Sequence, residues 1–388
     1  MNLPSLNDEE ARMAAFPVAR NKIFLAHAAV TALPQVVSQA VADFSRRASE
    51  RDLDFAELTR DLHRTRSLAA RWIGARADEI ALLGPTSLGL SLFANGLPWK
   101  EGDEVVCYRD DYPANVYPWL DLQRLGVVIR YLEPKEPGAI TPELVEAALT
   151  PRTRLVALAS AHFLTGYRID VDAIGRMLGE RGVLFSLDAI QTIGAFSLSV
   201  EHVDFLSADA HKWMLGPMAI GIVYVKKKHF GLLRPTLLGA WNVLSPEFIT
   251  QEEIRFPDSA MRYEPGVLNV AGIYGMHAGL ELLETYGIGN VSARLLAQKA
   301  HLVNALRPLG FEIYGPVEGP NASGATTFGH PKADMKALFA HLEQHDVVAS
   351  LRGNRQGRFF IRLSPHFYNT TAELDRVVEL LEEGLGTL

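Results

Sequence analysis

From residue 80 onward the chain repeats one pattern: a short, continuously apolar run, a turn, and a longer stretch with apolar residues at helical spacing. The apolar runs are Ile80–Leu83, Glu104–Tyr108, Val127–Leu132, Leu155–Ala159, Val183–Asp188, Val203–Ala208 and Ile220–Val225. Helical spacing falls at Leu88–Leu97, Pro118–Leu125, Pro142–Leu149 and Asp172–Arg181. Strands that are apolar without alternation are buried on both faces, which predicts a mostly parallel sheet flanked by helices, an α/β architecture. In such sheets ligands bind beyond the carboxyl ends of the strands. Thr86, Asp188 and the turn at Lys212 all fall there.

The flanks read differently. Residues 1–22 form a polar, then helical N-terminal arm, expected to pack with a small domain. Ile23-Phe24-Leu25 is a brief strand that breaks into His27-Ala28-Ala29-Val30, and a long helical stretch runs from Pro34 to about Ile73. The pattern becomes irregular over Phe230–Tyr263, followed by helices at Ala271–Tyr286 and Ser292–Leu306. Mixed strands and helices after Phe311 predict a smaller α+β domain. The expected division is an arm (1–22), a large α/β domain (23–255) and a small C-terminal domain (256–388).

Composition narrows the function. The chain of 388 residues is 48% hydrophobic and 21% charged with a formal net charge of −7, so no nucleic-acid or anionic-membrane partner is expected. No apolar run approaches a membrane span, and the acidic start Met1–Glu10 lacks the apolar core of a signal peptide. One cysteine, Cys107, sits within an apolar run and excludes an internal disulfide or a multi-cysteine metal site. A cytoplasmic location is expected, with no metal.

Candidate chemistry gathers at the strand ends. Gly84-Pro85-Thr86-Ser87 leads from a strand into a helix, an arrangement that suits a phosphate or serves simply as a helix cap. Lys212, in Asp209-Ala210-His211-Lys212-Trp213, stands at a turn between two buried strands. Burial lowers a lysine's pKa and favours a nucleophilic, Schiff-base-forming amine; the plain alternative is a surface lysine at a loop end. A phosphate-binding P-loop, a Gly-x-Ser-x-Gly elbow, a His-Glu-x-x-His motif and a full dinucleotide fingerprint are all absent.

Leu187-Asp188-Ala189-Ile190-Gln191 together with Ser207–Pro217 resembles the signature of class V aminotransferases. This pyridoxal 5'-phosphate (PLP) family of fold type I includes cysteine desulfurases and isopenicillin-N-epimerase-like enzymes. Further similarity lies at Gly84–Ser87, Asp111–Asn115, Thr165–Arg168, Arg262–Gly266 and Arg362–Ser364. The resemblance implies that Lys212 holds PLP as a Schiff base and later moves the substrate's Cα proton. It implies that Asp188 pairs with the pyridine nitrogen, that Gln191 bonds the phenolic oxygen and that Tyr112 stacks on the ring. Thr86, the Ser87 backbone and His211 would cradle the phosphate. Arg362 would clamp the α-carboxylate of a small amino-acid substrate, with His27 and Ala29 beside it. Arg262, Gly266 and Val267 would belong to a loop reaching the partner subunit's site, which implies a homodimer. Arg168 would pair with a carboxylate near the site or form a structural ion pair.

The departures are specific. The stretch Leu351–Arg358 has no cysteine where desulfurases carry one, so persulfide chemistry is not expected. Phe163 stands in place of an asparagine, Val267 in place of a threonine, and Asp209 in place of a phosphate-binding serine. Asp209 is expected to turn away or pair with an arginine. The expected activity is aminotransferase-like, with a C–S or β-lyase or an epimerase as the alternative. A catalytically inactive dimeric homologue and an NAD enzyme are the readings from other classes.

Overall fold

The computed structural model describes residues 8–387, so the first seven residues of the arm and of the acidic start lie outside it. A seven-stranded sheet runs in the order Ile80–Leu82, Gly221–Val225, Phe205–Asp209, Leu184–Asp188, Thr153–Ala159, Glu104–Tyr108, Val128–Leu132. Only Gly221–Val225 is antiparallel to its neighbours. The runs Glu104–Tyr108, Phe205–Asp209 and Gly221–Val225 are buried throughout, because apolar cores cover both faces of the sheet. The edge strand Val128–Leu132 is partly exposed.

A smaller antiparallel sheet, Ser350–Gly353, Phe359–Leu363, Thr326–Gly329, Glu312–Ile313, packs against the helices Met335–Gln344 and Thr371–Thr387. Ile23–Phe24 pairs with Val347–Val348, and Leu25 joins this small core. The described part of the arm packs nearby: Arg12 lies 3.0 Å from Glu373, and Phe16 stacks on Tyr368 at 4.0 Å.

Two expectations about the chain change here. The single helix expected over Pro34–Ile73 is two, Gln35–Glu50 and Phe55–Ile73. The break is made by Asp54, whose carboxylate accepts the Ala56 and Glu57 amides and so caps a new helix. Packing also divides the chain elsewhere than after residue 255. Ala260, Tyr263 and the helix Val270–Tyr286 pack into the large-sheet cores, whereas Leu302 and Leu306 are in the small core.

One glycine positions the site directly. The helix Thr86–Gly96 lies so close to Phe205–Asp209 that a Cβ at Gly89 would fall 2.4 Å from Ser207 Oγ. That close approach brings Thr86 to Asp209: the Asp209 amide donates to Thr86 Oγ1 at 2.8 Å.

Candidate active site

Five strand ends converge on one cavity of about 300 Å³. Ile80–Leu82 leads to Thr86 and Ser87, Glu104–Tyr108 to Tyr112, and Thr153–Ala159 to Phe163. Leu184–Asp188 delivers Asp188 and Gln191, and Phe205–Asp209 delivers His211 and Lys212. The small sheet supplies Arg352 and Arg362, and the segment after Leu25 supplies Ala28, Ala29 and Val30.

The lysine turn is tightly closed. The Gly216 amide bonds the Ala210 carbonyl at 2.9 Å, the Leu215 amide bonds Lys212 O at 3.1 Å, and Leu215 is held at φ 58°. Such a left-handed leucine is strained and persists because the surroundings dictate it. Lys212 itself is buried, with Nζ 5.4 Å from the centre of the Tyr112 ring. Its pKa lies below the ordinary lysine value, chiefly through burial; Asp188 opposes this, and Arg362 and Arg352 reinforce it. A buried amine with a lowered pKa is a nucleophile.

Asp188 is buried and accepts the Ile190 amide at 3.0 Å. Burial raises its pKa, the Ile190 bond pulls it down, Asp111 raises it and Lys212 lowers it. A cation facing this carboxylate would restore its charge, and a protonated pyridine nitrogen is such a partner. Gln191 is fixed at both ends: Nε2 donates to Ala28 O and Oε1 accepts from Trp213 Nε1, each at 3.0 Å.

The helix beginning at Thr86 opens on the cavity without a side-chain cap, since Pro85 precedes it. Thr86 Oγ1 accepts the Asp209 amide and keeps its own proton to donate. These are the donors a phosphate takes up. Asp209 is buried, and among the described residues it neither pairs with an arginine nor turns out to solvent. Its Oδ1 accepts the Ala210 and Ile220 amides at 2.8 and 3.1 Å, and its Oδ2 lies 3.0 Å from His211 Nδ1. The carboxylate therefore faces the imidazole and the backbone.

Arg362 is buried, and its Nη1 donates to the Phe163 carbonyl. Nε and Nη2 are buried without a hydrogen-bond partner, which is costly for a cation. Burial lowers its pKa, as does Arg352, while Tyr112 raises it; an arginine starts high enough to stay charged.

Other expected residues stand elsewhere. His27 does not line the cavity: it is fully buried, with Nδ1 2.7 Å from Thr31 Oγ1 and Nε2 3.0 Å from Tyr368 OH. Both ring nitrogens are occupied, and the cavity is lined instead by its neighbours Ala28, Ala29 and Val30. Among the described residues Arg168 meets no carboxylate; it donates to the carbonyls of Ala322 and Pro320 at 2.7 and 2.6 Å and lies over the Phe196 ring. Arg262 bonds the Pro257 and Phe230 carbonyls of its own chain at 3.0 and 2.5 Å. Val267 is 76% exposed. Cys107 is buried in the sheet and its thiol pKa is pushed up to about 12 by burial, which makes it inert.

Two residues escaped the sequence reading. Arg352 lies in the stretch read only for its missing cysteine, and no spacing rule places it beside Arg362. Asp111 falls within the family-like motif Asp111–Asn115 with no role of its own implied, yet it organises the loop that presents Tyr112. Its carboxylate accepts the Tyr112 amide at 2.7 Å and Asn115 Nδ2 at 3.0 Å. Burial drives its pKa up to about 6, against those hydrogen bonds and Lys212.

Comparison with known proteins agrees with this geometry. Residues 23–377 match the model of the family described as aminotransferase class-V. A probable cysteine desulfurase of Methanothermobacter thermautotrophicus is 28% identical, over 95% of this chain and 96% of its own. The apo cysteine desulfurase of Thermococcus onnurineus NA1 superposes with a TM-score of 0.91 at 24% identity, covering 100% of this chain and 99% of that one. A cystine C–S lyase solved with cysteine persulfide, its reaction product, superposes with a TM-score of 0.84 at 20% identity, covering 95% and 99%. The chain belongs to the class V aminotransferase family and is a PLP-dependent enzyme.

Proposed function

We propose that this class V enzyme exchanges the amino group of an amino acid anchored by its α-carboxylate on Arg362. The observation that carries this reading is the pairing, in one cavity, of a buried lysine with a buried arginine that keeps two unpaired nitrogens. The residues fit the cofactor. The uncapped helix start with Thr86 and His211 would receive the phosphate, and Asp188 would pair with the pyridine nitrogen. Gln191 and Tyr112 would hold the ring, and Lys212 would supply the covalent link. When bound, PLP supplies the electron sink that makes a Cα proton acidic.

This chain's residues do the rest. Arg362 orients the substrate through its carboxylate, and Lys212 Nζ takes the Cα proton and returns one elsewhere. Phe163 and Tyr112, in edge contact at 5.6 Å, wall the cavity with aromatic surface and limit water. A second reading, β-elimination at a C–S bond, is favoured by the desulfurase relatives together with the missing loop cysteine.

Lys212→Ala tests the site. It should abolish the borohydride-reducible cofactor absorbance and lower turnover by about 10⁴-fold. A variant that keeps both would remove Lys212 from the chemistry. Product analysis separates the readings. Amino transfer that needs a keto acid supports the first; pyruvate and ammonia released without one replace it with the second.

The active unit is a homodimer in this reading. Leu237, Leu238, Trp241, Leu244, Phe248 and Ile249 form an exposed apolar stretch near the Gly266-Val267 loop, the composition of a buried interface. A single inert thiol suits a reducing, cytoplasmic compartment.

A further inference from the structure

The backbone on both sides of Lys212 is held from outside its own turn. Within the turn, the Gly216 and Leu215 amides take the carbonyls of Ala210 and Lys212. The two carbonyls that flank the lysine residue have partners from elsewhere in the chain. The Thr31 amide donates to His211 O at 2.8 Å, and His366 Nε2 lies 3.0 Å from Trp213 O. His366 stands in the segment that follows the small-sheet strand Phe359–Leu363 and does not line the cavity.

Every polar atom of His366 is engaged. Its amide donates to Asn369 Oδ1 at 2.8 Å, its carbonyl accepts from Gln298 Nε2 at 3.1 Å, and its Nδ1 accepts the Phe367 amide at 2.9 Å. A ring nitrogen that accepts an amide carries no proton, so the imidazole's proton sits on Nε2 and is donated to the Trp213 carbonyl. Burial pushes the pKa of this histidine down to about 4, against the pull of that carbonyl, which keeps the ring in its neutral form. His27 packs edge-on against the ring at 5.1 Å. The chain also closes on the same carbonyl at Gly194, where φ is 93° and a Cβ would collide with Trp213 O. The peptide after Lys212 is thus fixed by a donor and by a close backbone approach.

Such fixing matters more for a lysine than for a shorter side chain. Its long, flexible stem leaves Nζ free to wander unless Cα is placed, and the turn that places Cα contains the strained Leu215. A displacement of about 1 Å in a reacting group costs up to about 100-fold in rate. We propose that His366 is a positioning residue for Lys212, acting through the Trp213 carbonyl and touching neither cofactor nor substrate. This rests on the proposed role of Lys212 and deepens it by naming what holds the lysine.

The test separates the lysine from the cofactor's seat. Cofactor-free protein is mixed with PLP, and the growth of borohydride-reducible absorbance gives the rate at which Lys212 Nζ replaces the aldehyde oxygen, which leaves as water. Pyridoxamine 5'-phosphate, which has no aldehyde, reports the seat alone through its dissociation constant. His366→Asn keeps an acceptor for the Phe367 amide and loses the donor to Trp213, whereas His366→Gln places an amide N–H where Nε2 stood. His366→Asn should attach PLP about tenfold more slowly while its affinity for pyridoxamine 5'-phosphate stays within about twofold of the native value. His366→Gln should recover most of the rate. His366→Phe, which fills the ring's volume without a donor, should match His366→Asn and stands in for it if that protein does not fold. Native attachment rates in the donor-less variants overturn the inference, as does a rate for His366→Gln no faster than theirs. A parallel loss of pyridoxamine 5'-phosphate affinity also overturns it, because His366 would then be a general structural residue. If the native protein and Lys212→Ala acquire the same borohydride-reducible absorbance, the role of Lys212 itself fails, so the two failures are separable.

Discussion

The two walls of the cavity are built on opposite principles. On the large-sheet wall several polar side chains are already held by partners within the protein, while Lys212 and the helix start at Thr86 stay open. Asp209 takes two backbone amides and faces His211, Gln191 is tied at both ends, and Asp188 accepts Ile190. On the small-sheet wall Arg362 is buried with two nitrogens unpaired and Arg352 stands beside it without an acid. The first wall is positioned by the protein's own hydrogen bonds before a ligand arrives. The second is electrostatically incomplete until a ligand arrives, which costs stability and confers affinity. In the proposed reading, cofactor geometry is thus separated from substrate recognition, one sheet for each.

The comparison can be broken most forcefully at Asp111, the buried acid that holds the Tyr112 loop behind the large-sheet wall. Its folded-state pKa of about 6 lies above its ordinary value of 3.8, so the native protein holds the proton more tightly than the unfolded chain between those values. Its contribution is fully present below the ordinary value and is lost as pH rises through about 6. The loss is roughly 3 kcal/mol for the cofactor-free protein. Asp188, also raised, acts in the same direction. Asp111→Asn should flatten the fall in melting temperature between pH 4 and 6. The slope is the readout, whatever the variant's absolute stability. An unaltered slope would mean that Asp111 is charged in the native state throughout.

Arg362→Gln probes the incomplete wall, with a somewhat smaller effect. Losing a charge-assisted, bidentate contact of about 1.5–3 kcal/mol should raise KM for the amino acid by about 10- to 100-fold. Melting temperature should hold or rise, because a buried cation with two unpaired nitrogens has been removed. A fall in melting temperature with KM unmoved would make Arg362 structural and erase the contrast between the walls.

What the sequence disclosed follows the same line. Strand ends were legible because uninterrupted apolar runs mark buried parallel strands, and those ends carry Asp188, Gln191 and the Lys212 turn. Their resemblance to a family signature supplied roles that periodicity alone did not. The Asp209–His211 approach was not legible, since the register of a turn decides whether a carboxylate faces a phosphate, an arginine or an imidazole. His27 was misplaced by one to three residues: its neighbours face the cavity while it is sealed behind them by Thr31 and Tyr368. Arg352 was missed because strand pairing, a long-range property, brings it next to Arg362.

The smallest effect is also the sharpest probe of how the second wall is held. The hairpin carrying Arg352 turns at Asn354–Arg358, closed by the Asn354 amide on Arg358 O and the Gly357 amide on Asn354 O, each at 3.0 Å. At its tip Arg355 pairs with Asp110, which precedes the Asp111–Tyr112 loop. Both side chains are well exposed, so this pair contributes only about 0–1 kcal/mol to stability. Arg355→Ala should therefore leave the melting temperature within about 2 °C of the native enzyme. Yet the pair joins the hairpin to the loop that presents Tyr112, and its loss frees one wall relative to the other. KM for the amino acid should rise by about two- to fivefold, with PLP affinity unmoved because the cofactor's contacts lie on the large sheet. If PLP affinity fell in parallel with KM, the two walls would be one mechanical unit, and assigning cofactor and substrate to separate sheets would fail.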